Sequence, residues 1–426
     1  MYECLFEPVK IGSVEIKNRV AVAPMNMQGD RGGHPTLQYM SFFNARAQGG
    51  FGLMTTGSIF CSKESSAEYP FVPYIFPTAF NAGYWTDFAE GVHSQGTGAK
   101  LFAQMSPGFG RQTGLPGVRG ASPIPFDRDE IVAGYSKQST SWMKYHVSEY
   151  ANHLARGVPR EMTVEEIHKE EAALVRSAAL AILYGFDGIE IHSPHGYLLH
   201  EFLSPRSNQR QDEYGGFLRN RARFLLELVA GCRKRMPTVP IVFRVSGMEY
   251  QKGGFTADDI KQVAIWCEEE GADAISLSNG SGYDDNLHFF PVTPDNDALI
   301  EAHGQTLKKA IKIPVIMAGI HTPAVAEKLV KEKALDMVAL GRGAIADPEW
   351  PNKVKEGRVK EIVRCTKDNF CTSMAIAGAQ GSTRCTQNPN YGKEQYNPAY
   401  WPKPMKGAVP ETLRKWKPGQ NFKIKL

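Results

Sequence analysis

Short apolar runs separated by amphipathic stretches recur along the chain, the pattern of repeated strand–helix units. Residues 5–25 (LFEPVKIGSVEIKNRVAVAPM) predict a short hairpin followed by a first barrel strand, Val20 to Ala23. A helix over about Thr36 to Gln48 and strands at Leu53–Gly57 and Lys100–Met105 come next. Thr163-Val-Glu165-Glu166 is an N-cap with an acidic third position, so a long helix should run from there to about Tyr184. Gly188-Ile189-Glu190-Ile191 is a buried-strand run carrying one charge, and it ends at His192. Helix 225–236, strand 239–246, helix 255–270 and strand 274–278 continue the alternation. The strand 314–319, the helix Pro323–Glu332 and the strand 337–342 close it. The fold class expected is α/β, a (β/α)8 TIM barrel with an N-terminal β-hairpin, over residues 1–360.

Two stretches break the rhythm. Residues 126–160 are polar and aromatic (Tyr135, Trp142, Tyr145, Tyr150) and form a long insertion after strand three. Connections of this length tend to be lids or interfaces, and a helical lid or subunit contact is expected. Residues 361–426 form a C-terminal extension holding three cysteines and a basic, Trp-containing tail (Tyr400-Trp401-Pro402, Lys415-Trp416-Lys417), and the tail is read as a packed arm or subunit contact.

Composition narrows the classes. With 49 Lys and Arg against 45 Asp and Glu the net charge is +4, too small at 426 residues to argue for nucleic acid. No apolar run reaches the roughly 18 residues of a membrane span, and the opening residues lack a secretory pattern. Seven cysteines, an odd number, argue against a disulfide framework, so the expected location is cytoplasmic. Cys4, Cys61, Cys232 and Cys267 lie on presumed barrel elements and read as small core hydrophobes.

The candidate chemistry gathers in residues 187–223. Two imidazoles and a phenol, His192, His195 and Tyr197, follow the C-terminal end of a strand, where parallel α/β folds place their reactive groups. The polar run Arg206, Asn208, Arg210, Asp212 and Tyr214 reads as a mutually bonded loop scaffold. Gln104 ends a buried strand, a place that suits a residue needing both a donor and an acceptor. Arg244, inside an apolar strand, needs an anionic or polar partner. Gly319 and Gly341 end strands seven and eight, where backbone N–H groups of such barrels bind phosphate, and Arg342 adds a charged fork.

The motif His192-Ser-Pro-His195-Gly-Tyr197-Leu-Leu, Phe202-Leu-Ser-Pro205, Asn208-x-Arg210-x-Asp212-x-Tyr214-Gly-Gly216 and Asn220-Arg221 closely resembles the old yellow enzyme family of FMN-dependent ene-reductases. The openings Asn18-Arg19 and Ala23-Pro24-Met25, and Gly341-Arg342 with Ala346-Asp347-Pro348, match it too. The resemblance implies that Pro24, Met25, Asn26 and Gly57 approach the flavin. It implies that Gln104 bonds the pyrimidine ring, Arg244 the N1/O2 edge, and Gly319, Gly341 and Arg342 the phosphate. His192 and His195 would hold a substrate carbonyl, Tyr197 would protonate the α-carbon, and His288 is a further candidate. For Gln104 a loop cap stays open as an alternative, and for Tyr197 a packing role. The implied reaction is reduction of a hydrophobic cyclic enone or an enoyl thioester. A desaturase, an amine dehydrogenase and a flavin electron carrier are the alternatives.

Cys365, Asp368, Cys371 and Cys385 resemble the iron–sulfur branch of that family, which includes 2,4-dienoyl-CoA reductase, trimethylamine dehydrogenase and the bile-acid and steroid enone reductases. That branch has a cysteine where this chain has Asp368. A four-iron cluster (4Fe-4S) with Asp368 or another fourth ligand, a three-iron or labile cluster, and a lost cluster all stay open. Larger members of the branch continue into FAD- and NAD(P)H-binding domains, for which the residues after the barrel leave no room. Electrons are then expected from free NAD(P)H or from a separate protein partner. A homo-oligomer is expected.

Overall fold

The N-terminal hairpin pairs β1 (Val9–Ile11) with β2 (Val14–Ile16), antiparallel, in a computed structural model that describes residues 2–26, 32–70, 72–136, 141–282, 297–372 and 383–403. Three strands follow, β3 (Val20–Val22), β4 (Leu53–Phe60) and β5 (Lys100–Ser106). A two-stranded parallel ribbon, β6 (Arg119–Gly120) with β7 (Arg160–Glu161), brackets the insertion. Then come β8 (Gly188–His192), β9 (Ile241–Ser246), β10 (Ala274–Ser278), β11 (Val315–Ala318) and β12 (Met337–Leu340). Eight of these, β3, β4, β5 and β8 to β12, close into a barrel with every pairing parallel.

Two apolar layers hold the barrel. The smaller lies inside it, where Ala21, Leu53, Phe102, Val242, Ile316 and Met337 meet Ile11 and Ile16 of the hairpin. The hairpin therefore plugs the N-terminal end and leaves the opposite end for the site. The larger layer lies between strands and helices, and it contains Cys61, Cys232 and Cys267, all free thiols; Cys4 is half-buried against it.

The helices begin where the side chains can cap them. Thr36 caps α1 (Leu37–Gln48) by accepting from Tyr39 N. The expected capping box of Thr163 and Glu166 is formed and opens α6 (Val164–Leu183, counting α2 at Lys63–Glu68, α3 at Ala82–His93, α4 at Arg128–Ser136 and α5 at Ser141–Arg156). Beyond it lie α7 (Leu198–Leu203), α8 (Leu218–Arg235) and α9 (Ala257–Glu269). The helix expected over 225–236 starts earlier, at Leu218, because its first turn (Leu218-Arg219-Asn220-Arg221) is polar and gives no apolar signal.

The insertion folds as the helical pair α4–α5 with a core of its own: Phe126, Ile131, Val147, Ala151 and Leu154. It is fastened to the C-terminal mouth of the barrel. Arg206 pairs with Glu130 at 2.6 Å, and the Arg111 guanidinium lies 4.1 Å over the Phe126 ring.

Residues 383–403 pack back onto the barrel helices. Asn44 donates to Tyr400 O at 2.9 Å, and Arg46 of α1 pairs with Glu394 at 2.7 Å. The two side chains are 0% and 4% exposed. Breaking a buried pair strands one charge in a poorly solvating interior. Replacing Glu394 with Ala should therefore cost about 3–5 kcal/mol of unfolding free energy, read from a urea titration. A loss under about 1 kcal/mol, the range of an exposed pair, would mean that this contact does not anchor the segment. Among the described residues no helix is long and apolar enough to cross a membrane.

Candidate active site

The strand β8 carries its inward side chains at alternate positions, so Glu190 and His192 point into the barrel in successive layers. In the register, Glu190 lies beside Gln104 of β5, and His192 beside Arg244 of β9. Each is a polar group in an apolar strand, and each is at most 4% exposed.

His192 ends the strand with both ring nitrogens unpartnered. Burial, and then the nearby Arg244 charge, push its pKa well below the usual imidazole range, so the ring is neutral at pH 7. Leaving such a group buried without a hydrogen bond costs about 1–3 kcal/mol, which folding alone gives no reason to accept.

His195 sits in the left-handed region, at φ +67°, an uncommon conformation for a residue with a Cβ. Three contacts hold it there. Its N–H donates to Ser246 Oγ at 3.2 Å, its Nε2 bonds Ser278 Oγ at 2.7 Å, and its carbonyl accepts from Gln112. Gly196 follows at φ +75°, where a Cβ would lie 2.3 Å from Ser281 O, so only glycine completes the turn. Burial and Arg244 also hold the His195 pKa well below the imidazole range.

The turn delivers Tyr197 to the start of α7. Its ring centroid lies 5.1 Å from His192, 6.4 Å from His195 and 4.4 Å from Phe109. The three residues singled out in the sequence therefore share one face at the barrel mouth.

The scaffold loop behind them is bonded to itself, as the residue types imply. Asn208 donates to Phe202 O at 2.6 Å and Tyr214 O at 2.7 Å, and Arg210 donates to Asp212 at 3.0 Å and Met162 O at 2.7 Å. Two buried carboxylates had no role in the sequence reading. Glu201 of α7 accepts from Arg111 N at 2.7 Å, and burial pushes its pKa up to about 7 against the pull of Arg111. Glu249 accepts from His200 at 3.0 Å and from Ser204 at 2.7 Å, tying α7 to the segment after β9. Their partners are far away in the chain, so no local pattern announces them.

The other expected residues ring the same end. Gln104 donates Nε2 to Glu190 at 2.6 Å and accepts from Ser58 at 3.1 Å. Arg244 donates to Ser276 at 2.7 Å, and its Nε has no partner. Asn26 accepts from Ser58 N at 2.7 Å. A Cβ on Gly57 would lie 2.3 Å from Asn26 Oδ1 and 2.5 Å from Met25 O, so glycine there lets the segment of Pro24, Met25 and Asn26 pack against β4. Gly319 has φ +103°. Gly341 precedes Arg342, whose buried guanidinium donates to Asn369 of the cysteine segment. His288 lies outside the described residues.

The sequence profile of the NADH:flavin oxidoreductase / NADH oxidase family matches residues 4–361. The chain belongs to this family. It is 34% identical over 394 residues to the NADH oxidase of Thermoanaerobacter brockii, covering 92% of this chain and 56% of that protein. To the cinnamate reductase of Clostridium sporogenes it is 31% identical, covering 92% and 59%. An NADPH dehydrogenase of Bacillus pumilus is 30% identical over 83% of this chain and 94% of its own length. The solved complex of 2-naphthoyl-CoA reductase with 2-naphthoyl-CoA superposes with a TM-score of 0.78 at 28% identity, over 93% of this chain and 58% of that one. The chain thus spans a little over half the length of the first of these relatives. Membership of the family implies FMN, and the mouth fits it: the unpartnered atoms of His192 and Arg244 are donors and acceptors that the fold itself leaves unused.

The cysteine segment follows. Lys367 and Asn369 are both left-handed, at φ +58° and +57°, and Lys367 N donates to Cys365 Sγ at 3.4 Å. Burial pushes the Cys371 thiol up to about 11, while Arg342 pulls it down and Cys365 raises it further. Asp368 accepts from Thr366 at 2.7 Å, from Phe370 N at 2.9 Å and from Thr386. Among the described residues, no three His, Cys, Asp or Glu side chains are grouped so as to hold a single metal ion.

Proposed function

We propose that the protein is an FMN-dependent reductase of activated C=C bonds, acting on a hydrophobic cyclic enone or an α,β-unsaturated thioester. One observation carries the reading: a neutral, buried His192 with two unpartnered ring nitrogens, within ring-contact distance of Tyr197. Bound FMN would supply the hydride. His192 and His195 would donate hydrogen bonds to the substrate carbonyl, where negative charge grows as the β-carbon accepts the hydride. A neutral imidazole such as His192 suits this, because it still has an N–H to give. Tyr197 would give its phenol proton to the α-carbon. The names of two relatives, for cinnamate and for 2-naphthoyl-CoA, support an unsaturated acid or thioester. Others named for NADH and NADPH support a nicotinamide donor. Pro24, Met25, Asn26, Gln104 and Arg244 would line the flavin ring, and Gly319, Gly341 and Arg342 its phosphate. The test mixes the reduced holoenzyme with an enone, and the oxidised holoenzyme with an amine, under anaerobic conditions. Reoxidation by the enone supports the reading, and reduction of the oxidised form by the amine opposes it.

Cys365, Cys371 and Cys385 would be thiolate ligands of an iron–sulfur cluster. Soft thiolates suit iron, and the N–H donated to Cys365 would stabilise its anion. Asp368 fits a bracing role better than a ligand's, since its oxygens already accept from Thr366, Thr386 and Phe370 N and thereby join the two cysteine stretches. Protein purified without oxygen should carry about three to four irons per FMN with matching acid-labile sulfide, and Cys385→Ser should lose them. Iron-free flavoprotein from the same preparation would contradict the cluster.

A further inference from the structure

A set of buried polar side chains crosses the barrel interior one layer below and alongside His192. Ser58 on β4 donates to Gln104 on β5 at 3.1 Å, and Gln104 donates to Glu190 on β8 at 2.6 Å. Ser276 on β10 accepts from Arg244 on β9 at 2.7 Å, and its hydroxyl acts to lower the pKa of Glu190. Every member is at most 4% exposed. Two of the five are side chains placed against the flavin above, while Glu190 and Ser276 have no part in that reading.

Two physical arguments give Glu190 a task. An amide can face either way at little intrinsic cost, and an acceptor-only carboxylate beside Gln104 Nε2 fixes its orientation, with Oε1 toward Ser58. A guanidinium stays protonated in proteins, and a lone one in an apolar barrel is strongly disfavoured without a counter-charge. The acid that acts on Arg244 is Glu190. Burial raises the Glu190 pKa and Arg244 opposes that rise, as expected of two charges compensating each other.

We propose that Glu190 is a positioning residue for the flavin site: it fixes the Gln104 amide in one orientation, offsets the Arg244 charge, and so holds the potential of the bound cofactor down. This rests on the reading that FMN binds at this mouth. With the carboxylate neutralised, Arg244 is left as an uncompensated cation, and the more negatively charged, reduced state of the cofactor is favoured.

The experiment compares the FMN midpoint potential of the wild-type holoenzyme and Glu190→Gln by anaerobic equilibration with a reference dye. The expected result is about a tenfold gain in the affinity for reduced over oxidised FMN, which for a two-electron couple is about 30 mV upward. Glu190→Asp keeps the charge but shortens the reach to Gln104, so it should keep the wild-type potential while FMN dissociates faster. A purely structural Glu190 would lower FMN content in both variants and leave the potential of the retained cofactor unmoved, which would overturn the inference. If Glu190→Gln does not retain FMN, Ser276→Ala takes its place. It leaves both charges, removes the hydroxyl to which Arg244 donates and frees that N–H for the cofactor, so it should also move the potential upward; an unmoved potential there overturns the inference equally. A wild-type chain that takes up no FMN would overturn the flavin reading itself, whereas FMN uptake with an unmoved potential removes only the role of Glu190.

Discussion

Replacing Tyr197 with Phe is expected to lower turnover of an α,β-unsaturated carbonyl by about 10²–10⁴-fold, the range for loss of a positioned proton donor. The change removes one hydroxyl and keeps the ring, so the contacts with Phe109 at 4.4 Å and His192 at 5.1 Å survive. FMN content and thermal stability should therefore stay at wild-type levels. Chemistry alone should suffer, and the loss should appear in kcat and kcat/KM together, as for an interaction made only in the transition state. Unchanged turnover of every enone tested would assign Tyr197 to packing.

The second large effect is at His192. Its ring nitrogens bond to nothing in the folded protein, so His192→Leu removes no internal hydrogen bond and relieves an unsatisfied polar group. Leucine is of similar bulk in a buried setting. Stability should hold or rise by about 1 kcal/mol, while turnover falls about 10²–10³-fold through loss of a donor to the developing oxyanion. Opposite signs for stability and activity mark a group kept for function. Loss of both together would make His192 a structural residue. His195 is a poorer probe, because its backbone N–H, its carbonyl and its ring are all tied into the turn.

The sequence made the barrel legible where its strands are short apolar runs bounded by turn residues. Leu53, Lys100, Gly188 and Ala274 start strands at the residues where those runs begin. The ends were harder to place: β4 continues past Gly57 to Phe60, through a polar Ser58 that serves Gln104. The α3 helix (Ala82–His93) gave no reading, since Gly83 and Gly91 interrupt its pattern. His192, His195 and Tyr197 were legible because one short turn carries all three. Gln112 and Glu201 were not, because what they do depends on partners more than eighty residues away in the chain, His195 for one and Arg111 for the other. Glu190 stood out as a charge in a buried strand, but its meaning needed Gln104 and Arg244 from two other strands. The packed-arm reading was of the basic tail, of which residues 404–426 lie outside the described residues; that residues 383–403 pack on α1 shows only in the pair of Arg46 with Glu394.

The most direct test of the central claim is the oxidative half-reaction followed by flavin absorbance. The holoenzyme is reduced anaerobically with NADH or NADPH and mixed with a cyclic enone or a cinnamoyl thioester. The expected result is reoxidation of the flavin with one saturated product formed per FMN, slowed at least a hundredfold in Tyr197→Phe. A reduced flavin that no enone or enoyl thioester reoxidises, and that responds only to oxygen or to a protein partner, would contradict the assignment of this mouth to C=C reduction.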